Sequence, residues 1–261
     1  MNKTALITGA SGGIGYEFAI LFAQHKYDLV LVARSEAKLK EIASQITDAY
    51  NVKVKVYAKD LSIIASIDEV YNSLKSENIY INVLINNAGF GDFGFFNDTD
   101  WNKEQQMINL NITALTYLTK LFVKDMILAK DGKILNLAST AAFQPGPLMA
   151  VYFATKAYVL SFSEAIANEL KGTGVTVTAL CPGPTESGFA KAAAAEETKL
   201  FKDKKMPSSK EVALFGFNAL MKGKTVVIHG LLNKIMAFSI RLSPRKMVTM
   251  MVRMMSEQNK M

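Results

Sequence analysis

Tyr152 and Lys156 stand four residues apart at the end of STAAFQPGPLMAVYFATK, a stretch that opens on Ser139. A helix over residues 150–170 puts the phenol and the ammonium on one face, about one turn apart. Ser139 closes the apolar run KILNLAS, which reads as a buried strand. A hydroxyl at a strand end thereby meets a phenol and an ammonium at the start of the next helix. A phenol titrates near ~10 and is a poor proton donor or acceptor at neutral pH. A nearby ammonium favours the phenolate, by at most about 4 kcal/mol at ~4 Å and an effective dielectric of ~20. The pattern predicts a general acid/base at Tyr152, tuned by Lys156, with Ser139 orienting the reacting oxygen. The alternative is a surface Tyr and Lys on an ordinary helix, and the rest of the chain decides between the two.

The elements that must position these groups alternate strand and helix. Residues 3–8 form an apolar strand, then comes GASGGIG, then the helical pattern YEFAILFAQ. Gly9, Gly13 and Gly15 let a pyrophosphate approach bare backbone and rest on a helix N-terminus. The G-x-x-x-G-x-G spacing differs from the G-x-G-x-x-G fingerprint. A second strand, residues 28–34, ends in Ala33 and Arg34, with no carboxylate before Glu36. A basic residue there suits a ribose 2′-phosphate, so NADP(H) is expected over NAD(H), with Lys38 near enough to help. A helix over 35–50 and a strand over 52–61 follow; the latter ends in Asp60 and Leu61, a carboxylate placed to accept from an adenine amino group. After the helix 66–77, INVLINNAGFG is strand then turn, with Asn86, Asn87, Ala88 and Gly89 at its mouth. Small residues there allow close approach to a ligand, although Asn and Gly also mark plain turns.

A long helix is expected over 99–128, disturbed near Asn109 and Asn111, since asparagine is slightly unfavourable inside a helix. GVTVTALCPGPTES reads as a strand ending in the rigid turn Pro182, Gly183, Pro184 and Thr185. The alanine- and lysine-rich segment 186–206 reads as a helical lid. Ser208 or Ser209 caps the next helix, and TVVIHG is the last strand. Phe93, Phe95, Phe143, Leu148, Met149 and Phe189 suggest an apolar pocket wall. No repeat or linker interrupts the alternation, so the chain reads as one α/β domain over 1–261 with a doubly wound parallel sheet. The tail over 231–261 is an amphipathic extension. Met247, Met250, Met251, Met254 and Met255 share one helical stripe, with Arg241, Arg245, Lys246 and Arg253 around it. Such a stripe is core, subunit contact or a membrane-surface helix. Pro244 splits it into two short helices.

The chain has 261 residues, half of them hydrophobic, enough for one sizeable core. Cys181 is the only cysteine, which excludes a disulfide framework, and His25 and His229 match no ligand spacing, so no metal is expected. The net charge of +7 would suit an anionic cofactor, a membrane surface or nucleic acid, but no nucleic-acid motif accompanies it. No signal peptide and no apolar run of spanning length is seen, so a cytoplasmic place is expected, with peripheral membrane contact through the tail as the other reading.

Taken together, TGASGGIG, Asp60-Leu61, NNAG, Asn111, Ser139, Tyr152-x-x-x-Lys156 and PGPT resemble the short-chain dehydrogenase/reductase family in its compact single-domain form. The resemblance covers roughly residues 3 to 188. It implies a Rossmann fold with a seven-stranded parallel sheet. It implies that Gly9, Ser11, Gly13, Ile14 and Gly15 cradle the pyrophosphate, that Arg34 faces the 2′-phosphate, and that Asp60 and Leu61 face the adenine. Asn87, Ala88 and Gly89 line the ribose path, and Pro182, Gly183 and Thr185 fix the nicotinamide face. Asn111, Ser139, Tyr152 and Lys156 are then the catalytic tetrad. By that likeness Tyr152 protonates a carbonyl oxygen held by Ser139. Lys156 tunes Tyr152 and binds the nicotinamide ribose, and Asn111 holds a water for proton supply. The expected function is an NADP(H)-dependent reductase of an apolar small-molecule carbonyl, or a dehydrogenase of the matching alcohol. The competing readings are a nucleotide-sensing binding protein on the same fold and a membrane-surface reductase of lipid carbonyls. A homo-oligomer is expected, a dimer through helices 101–128 and 151–170 or a tetramer, although the Met- and Arg-rich tail departs from the short glycine-rich end that closes the family's tetramers.

Overall fold

A computed structural model describes residues 2–202 and 205–257. Seven parallel strands lie in the order β3-β2-β1-β4-β5-β6-β7. They are β1 Thr4–Thr8, β2 Asp28–Ala33, β3 Val54–Ala58, β4 Val83–Asn86, β5 Gly132–Leu137, β6 Val175–Cys181 and β7 Val226–Ile228. The inner strands read as continuous apolar runs because both of their faces are covered. Alternate side chains go to opposite sides. Ala5, Ile7, Leu29, Leu31 and Ile85 pack on one face with helices α1 (Gly13–Gln24) and α2 (Glu36–Tyr50). Leu6, Val30, Val32, Leu84 and Ile134 pack on the other, with α3 (Ile64–Ser76). The edge strand β3 is only half-buried, as its alternating Lys and Val require. Strand order reverses between β1 and β4, and side chains beyond the strand ends there open into a crevice.

The helix expected over 99–128 is continuous but not uniform. It runs as α4 (Trp101–Ile108), a π-helical turn (Asn109–Ala114) and α5 (Leu115–Ala129). Asp100 caps it by accepting from the Asn102 amide. The two asparagines that weaken the helical pattern mark the π-turn, a feature frequent at functional sites. α6 (Ala150–Glu169) carries Tyr152 and Lys156. A 3-10 turn, Thr140–Phe143, leads towards it from β5.

The segment 186–206 is not the helix its composition predicts. Only Phe189–Ala192 (α7) is helical. Ala193 and Ala195 are both fully buried, yet two residues apart they would face opposite sides of a helix, so burying both breaks it. Glu186 pairs with Ser208 as an isolated bridge, which pins the base of the segment. Residues 203 and 204 of that stretch lie outside the described residues, as do 258–261 of the tail. Ser208 caps α8 (Ser209–Met221) in a reciprocal capping box with Glu211. Two helices follow β7: α9 (Leu231–Ser239) and, after a 3-10 turn and Pro244, α10 (Arg245–Ser256). No described helix is long and apolar enough to cross a membrane.

Candidate active site

A cleft of about 610 Å³ opens at the carboxyl ends of the strands. Gly9, Ser11, Gly13, Ile14, Arg34, Asp60, Leu61, Asn87, Ala88 and Gly89 line it. So do Ser139, Tyr152, Lys156, Pro182, Gly183 and Thr185. Two of the expected site residues do not touch it: Gly15 and Asn111 stand just behind the wall.

Gly15 is there for space. A Cβ on it would lie 2.3 Å from the Gly9 carbonyl oxygen and 2.5 Å from Asn87 Nδ2. Gly9 and Gly13 have φ of +66° and +54°, which side chains rarely adopt. Asn87 fixes the turn by donating from Nδ2 to the carbonyls of Thr8 (2.9 Å) and Gly9 (3.2 Å). The Thr8 hydroxyl accepts from the amides of Asn87 and Ala88, both at 3.0 Å. Thr8 was not singled out from the sequence, where a threonine ending a strand is unremarkable. The result is a loop of bare backbone at the start of α1, shaped for a pyrophosphate.

Arg34 is exposed at the end of β2 and has no hydrogen-bond or ion-pair partner among the described residues. Lys38, expected to help, is instead paired with Glu41 at 3.0 Å. Asp60 lies past the end of β3 rather than on it. Its Oδ1 accepts from the Ser62 amide (2.9 Å) and hydroxyl (2.7 Å).

At the other end, Tyr152 and Lys156 share the inner face of α6 and are both buried. Lys156 Nζ donates to the Leu137 carbonyl at 2.7 Å and lies 5.8 Å from the centre of the Tyr152 ring. Burial, not the ammonium, sets the phenol: desolvation pushes Tyr152 up to about 12, and a hydrogen bond with Ser139 opposes that rise. Burial likewise pushes Lys156 down to about 8, opposed by the Cys181 sulfur. The net shift on Tyr152 is thus upward, set by burial and eased by Ser139. Ser139 caps the 3-10 turn, its Oγ accepting from the Ala141 amide at 3.1 Å and donating to the Pro182 carbonyl at 3.4 Å.

Asn111 is held in the π-turn. Its Nδ2 donates to the Phe90 carbonyl (2.9 Å) and to Thr155 Oγ1 (3.1 Å), and its Oδ1 accepts from the Phe90 amide (3.2 Å). These bonds commit the side chain to the protein, so a water would have to rest on its main chain. A Cβ on Gly89 would meet Asn111 Oδ1 at 2.8 Å and Lys156 Nζ at 3.6 Å, so only glycine leaves room for this contact.

Past Tyr152 the cleft turns apolar, with Met149, Phe153, Phe189 and Phe201 on its wall. Phe189 lies 5.0 Å from the Tyr152 ring. Phe153, Phe201, Gln106 and Gln144 join this wall without having been marked in the sequence, because no local pattern ties their segments to the cleft. Four of the expected wall residues are elsewhere. Phe95 is exposed under Arg253, Phe93 packs behind the wall against the cluster of Met149, Tyr152 and Phe153, Phe143 packs into another cluster, and Leu148 takes a left-handed turn with φ of +69°.

The fold and cleft have close parallels. The family model for short chain dehydrogenases matches residues 3–198. The very-long-chain 3-oxoacyl-CoA reductase of Rattus norvegicus is 33% identical over 189 residues, 70% of this chain but 59% of the relative. The chain thus spans less than two thirds of that relative's length. A solved short-chain dehydrogenase from Sphingobium yanoikuyae in complex with NADPH superposes with a TM-score of 0.82 at 31% identity, covering 92% of this chain and 94% of the other. The bulky-bulky ketone specific alcohol dehydrogenase from Comamonas testosteroni gives 0.79 at 29% identity, with 92% of each chain covered. With three quarters of its length matched by that model, the chain belongs to the short-chain dehydrogenase family.

Proposed function

We propose that the protein reduces the carbonyl of a bulky apolar molecule with NADPH, Tyr152 acting as the proton donor. The observation that carries this reading is the buried Tyr152 beside Ser139, standing where the polar cleft becomes aromatic. Gly9, Ser11, Gly13, Ile14 and Gly15 would cradle the pyrophosphate, and Asp60 and Leu61 the adenine. Arg34 would hold the 2′-phosphate. Asn87, Ala88, Gly89, Pro182, Gly183 and Thr185 would line the remainder. When bound, the dinucleotide supplies the hydride.

The chain's own groups manage the oxygen. Ser139 turns its hydroxyl to the substrate oxygen and holds it. Tyr152, kept protonated by burial, gives its proton to that oxygen as negative charge builds there. Lys156, near about 8, can return a proton at close to neutral pH. Asn111 ties the Phe90 loop to Thr155, the neighbour of Lys156 on α6. The segment 186–206 would close over the substrate, since Phe189 already touches the Tyr152 ring.

The named activities of the relatives, on long acyl thioesters and on bulky ketones, agree with an aromatic wall of this size. The test is NADPH oxidation against ketones and 3-oxoacyl thioesters of graded chain length, with NADH in parallel. The proposal expects kcat/KM to rise with apolar bulk and to favour NADPH. Preference for small polar aldehydes, or for NADH, would contradict it.

A further inference from the structure

Beyond the cleft, the largest unexplained feature is the outer side of the two C-terminal helices. On α9, Leu231, Leu232, Ile235 and Phe238 all stay more than half exposed, opposite the packed Ala237. On α10 the packed side is Val248, Val252 and Ser256, and Met247, Met250, Met251 and Met254 point the other way, each more than half exposed. The methionine stripe is therefore not core. Arg253 lies 4.8 Å from the ring of Phe95, which extends the surface to Phe95 and to Phe96, 70% exposed. Monomers rarely leave so much apolar surface open without a use.

Charge selects the occupant. Residues 231–256 contain five basic side chains, Lys234, Arg241, Arg245, Lys246 and Arg253, and no acidic one. Arg253 pairs with Glu257 just beyond, so a second copy meeting this face about a two-fold axis would set four further positive charges against four. An anionic lipid surface accepts both the apolar stripe and the charge around it. Flexible, polarizable methionines suit a disordered partner of that kind.

We propose that α9 and α10 dock the protein on anionic bilayer surfaces. The inner side of α10 gives that docking a purpose. Val248 and Val252 share one apolar cluster with Met149, Tyr152, Phe153 and, at its margin, Phe189. The Lys199 amide donates to the Glu257 carbonyl, tying the end of α10 to the segment over the cleft. A docked molecule therefore holds the aromatic end of its cleft next to the lipid, where an apolar carbonyl concentrates. This last step rests on the proposed function; the docking itself does not.

The test is flotation of the full chain with phosphatidylcholine vesicles, with and without phosphatidylglycerol, alongside sedimentation velocity without lipid. The protein should float with the mixed vesicles and less with the neutral ones. The triple variant Lys234→Glu, Arg241→Glu, Lys246→Glu should bind about a hundredfold more weakly. The pair Met250→Ser, Met254→Ser should lose most of the binding, while both variants keep wild-type affinity for NADPH. These side chains are exposed, so the fold has no need of them. Absence of flotation, or flotation indifferent to both variants, would overturn the proposal. A dimer that the Met250→Ser, Met254→Ser pair dissociates would also overturn it and give the face to a second copy. NADPH oxidation of a water-soluble ketone, measured without vesicles, reports on the catalytic reading separately.

Discussion

Lys156 holds its amine where charge is costly. Its folded value of about 8 lies below the ordinary 10.5, so between those pH values the unfolded chain binds the extra proton. Stability must then rise with pH across that window, and the full penalty, on the order of 3 kcal/mol, applies below it. Tyr152 acts the other way: about 12 folded against 10.0, it favours the fold below pH 10 and loses that contribution towards 12. Lys156→Met should therefore stabilise the cofactor-free protein by about 2 kcal/mol at pH 7, after about 1 kcal/mol is lost with the Leu137 bond. That gain should vanish near pH 10 in urea unfolding; a gain equal at both pH values would reject the assignment. Arg34→Ala should weaken NADPH by at least ~1 kcal/mol more than NADH in fluorescence titration, the loss of a charge-assisted bond. Equal weakening would remove the phosphate contact. Both residues were marked in the sequence, Arg34 by its place at a strand end and Lys156 by its helical spacing from Tyr152. The direction of the Tyr152 shift was not, because it follows from burial, and burial is set by distant elements such as α7 and α10.

Among the elements, the glycine turn is the least forgiving. Gly15→Ala places a methyl 2.3 Å from the Gly9 carbonyl, backbone that cannot yield without moving the turn. The expected cost is about 2–3 kcal/mol of stability, with loss of most dinucleotide affinity, read by thermal unfolding with and without NADPH. Unchanged affinity would mean the turn is not the cradle. This element was plain from G-x-x-x-G-x-G between a strand and a helix. The π-turn left only a trace, two asparagines inside a helical pattern, since hydrogen-bond register is not written in composition. The segment 186–206 misled because alanine and lysine favour helix locally, while burial of Ala193 and Ala195 is a tertiary demand.

At the scale of the whole molecule, strand–helix alternation was enough to foresee a parallel doubly wound sheet. Of the aromatic end of the cleft only Met149 and Phe189 were foreseen, because Gln106, Phe153 and Phe201 come from separate segments that no local pattern ties together. The tail's stripe was visible, but only its packing shows that the methionines face outward. The proposed function joins these parts in one act, delivery of a proton from Tyr152 to a carbonyl oxygen beside a bound dinucleotide. Pre-steady-state NADPH oxidation by Tyr152→Phe, with cofactor affinity measured on the same sample, tests that act most directly. The account predicts a rate about a thousandfold below wild type with NADPH affinity within about twofold. A rate within tenfold of wild type at saturating NADPH would contradict it.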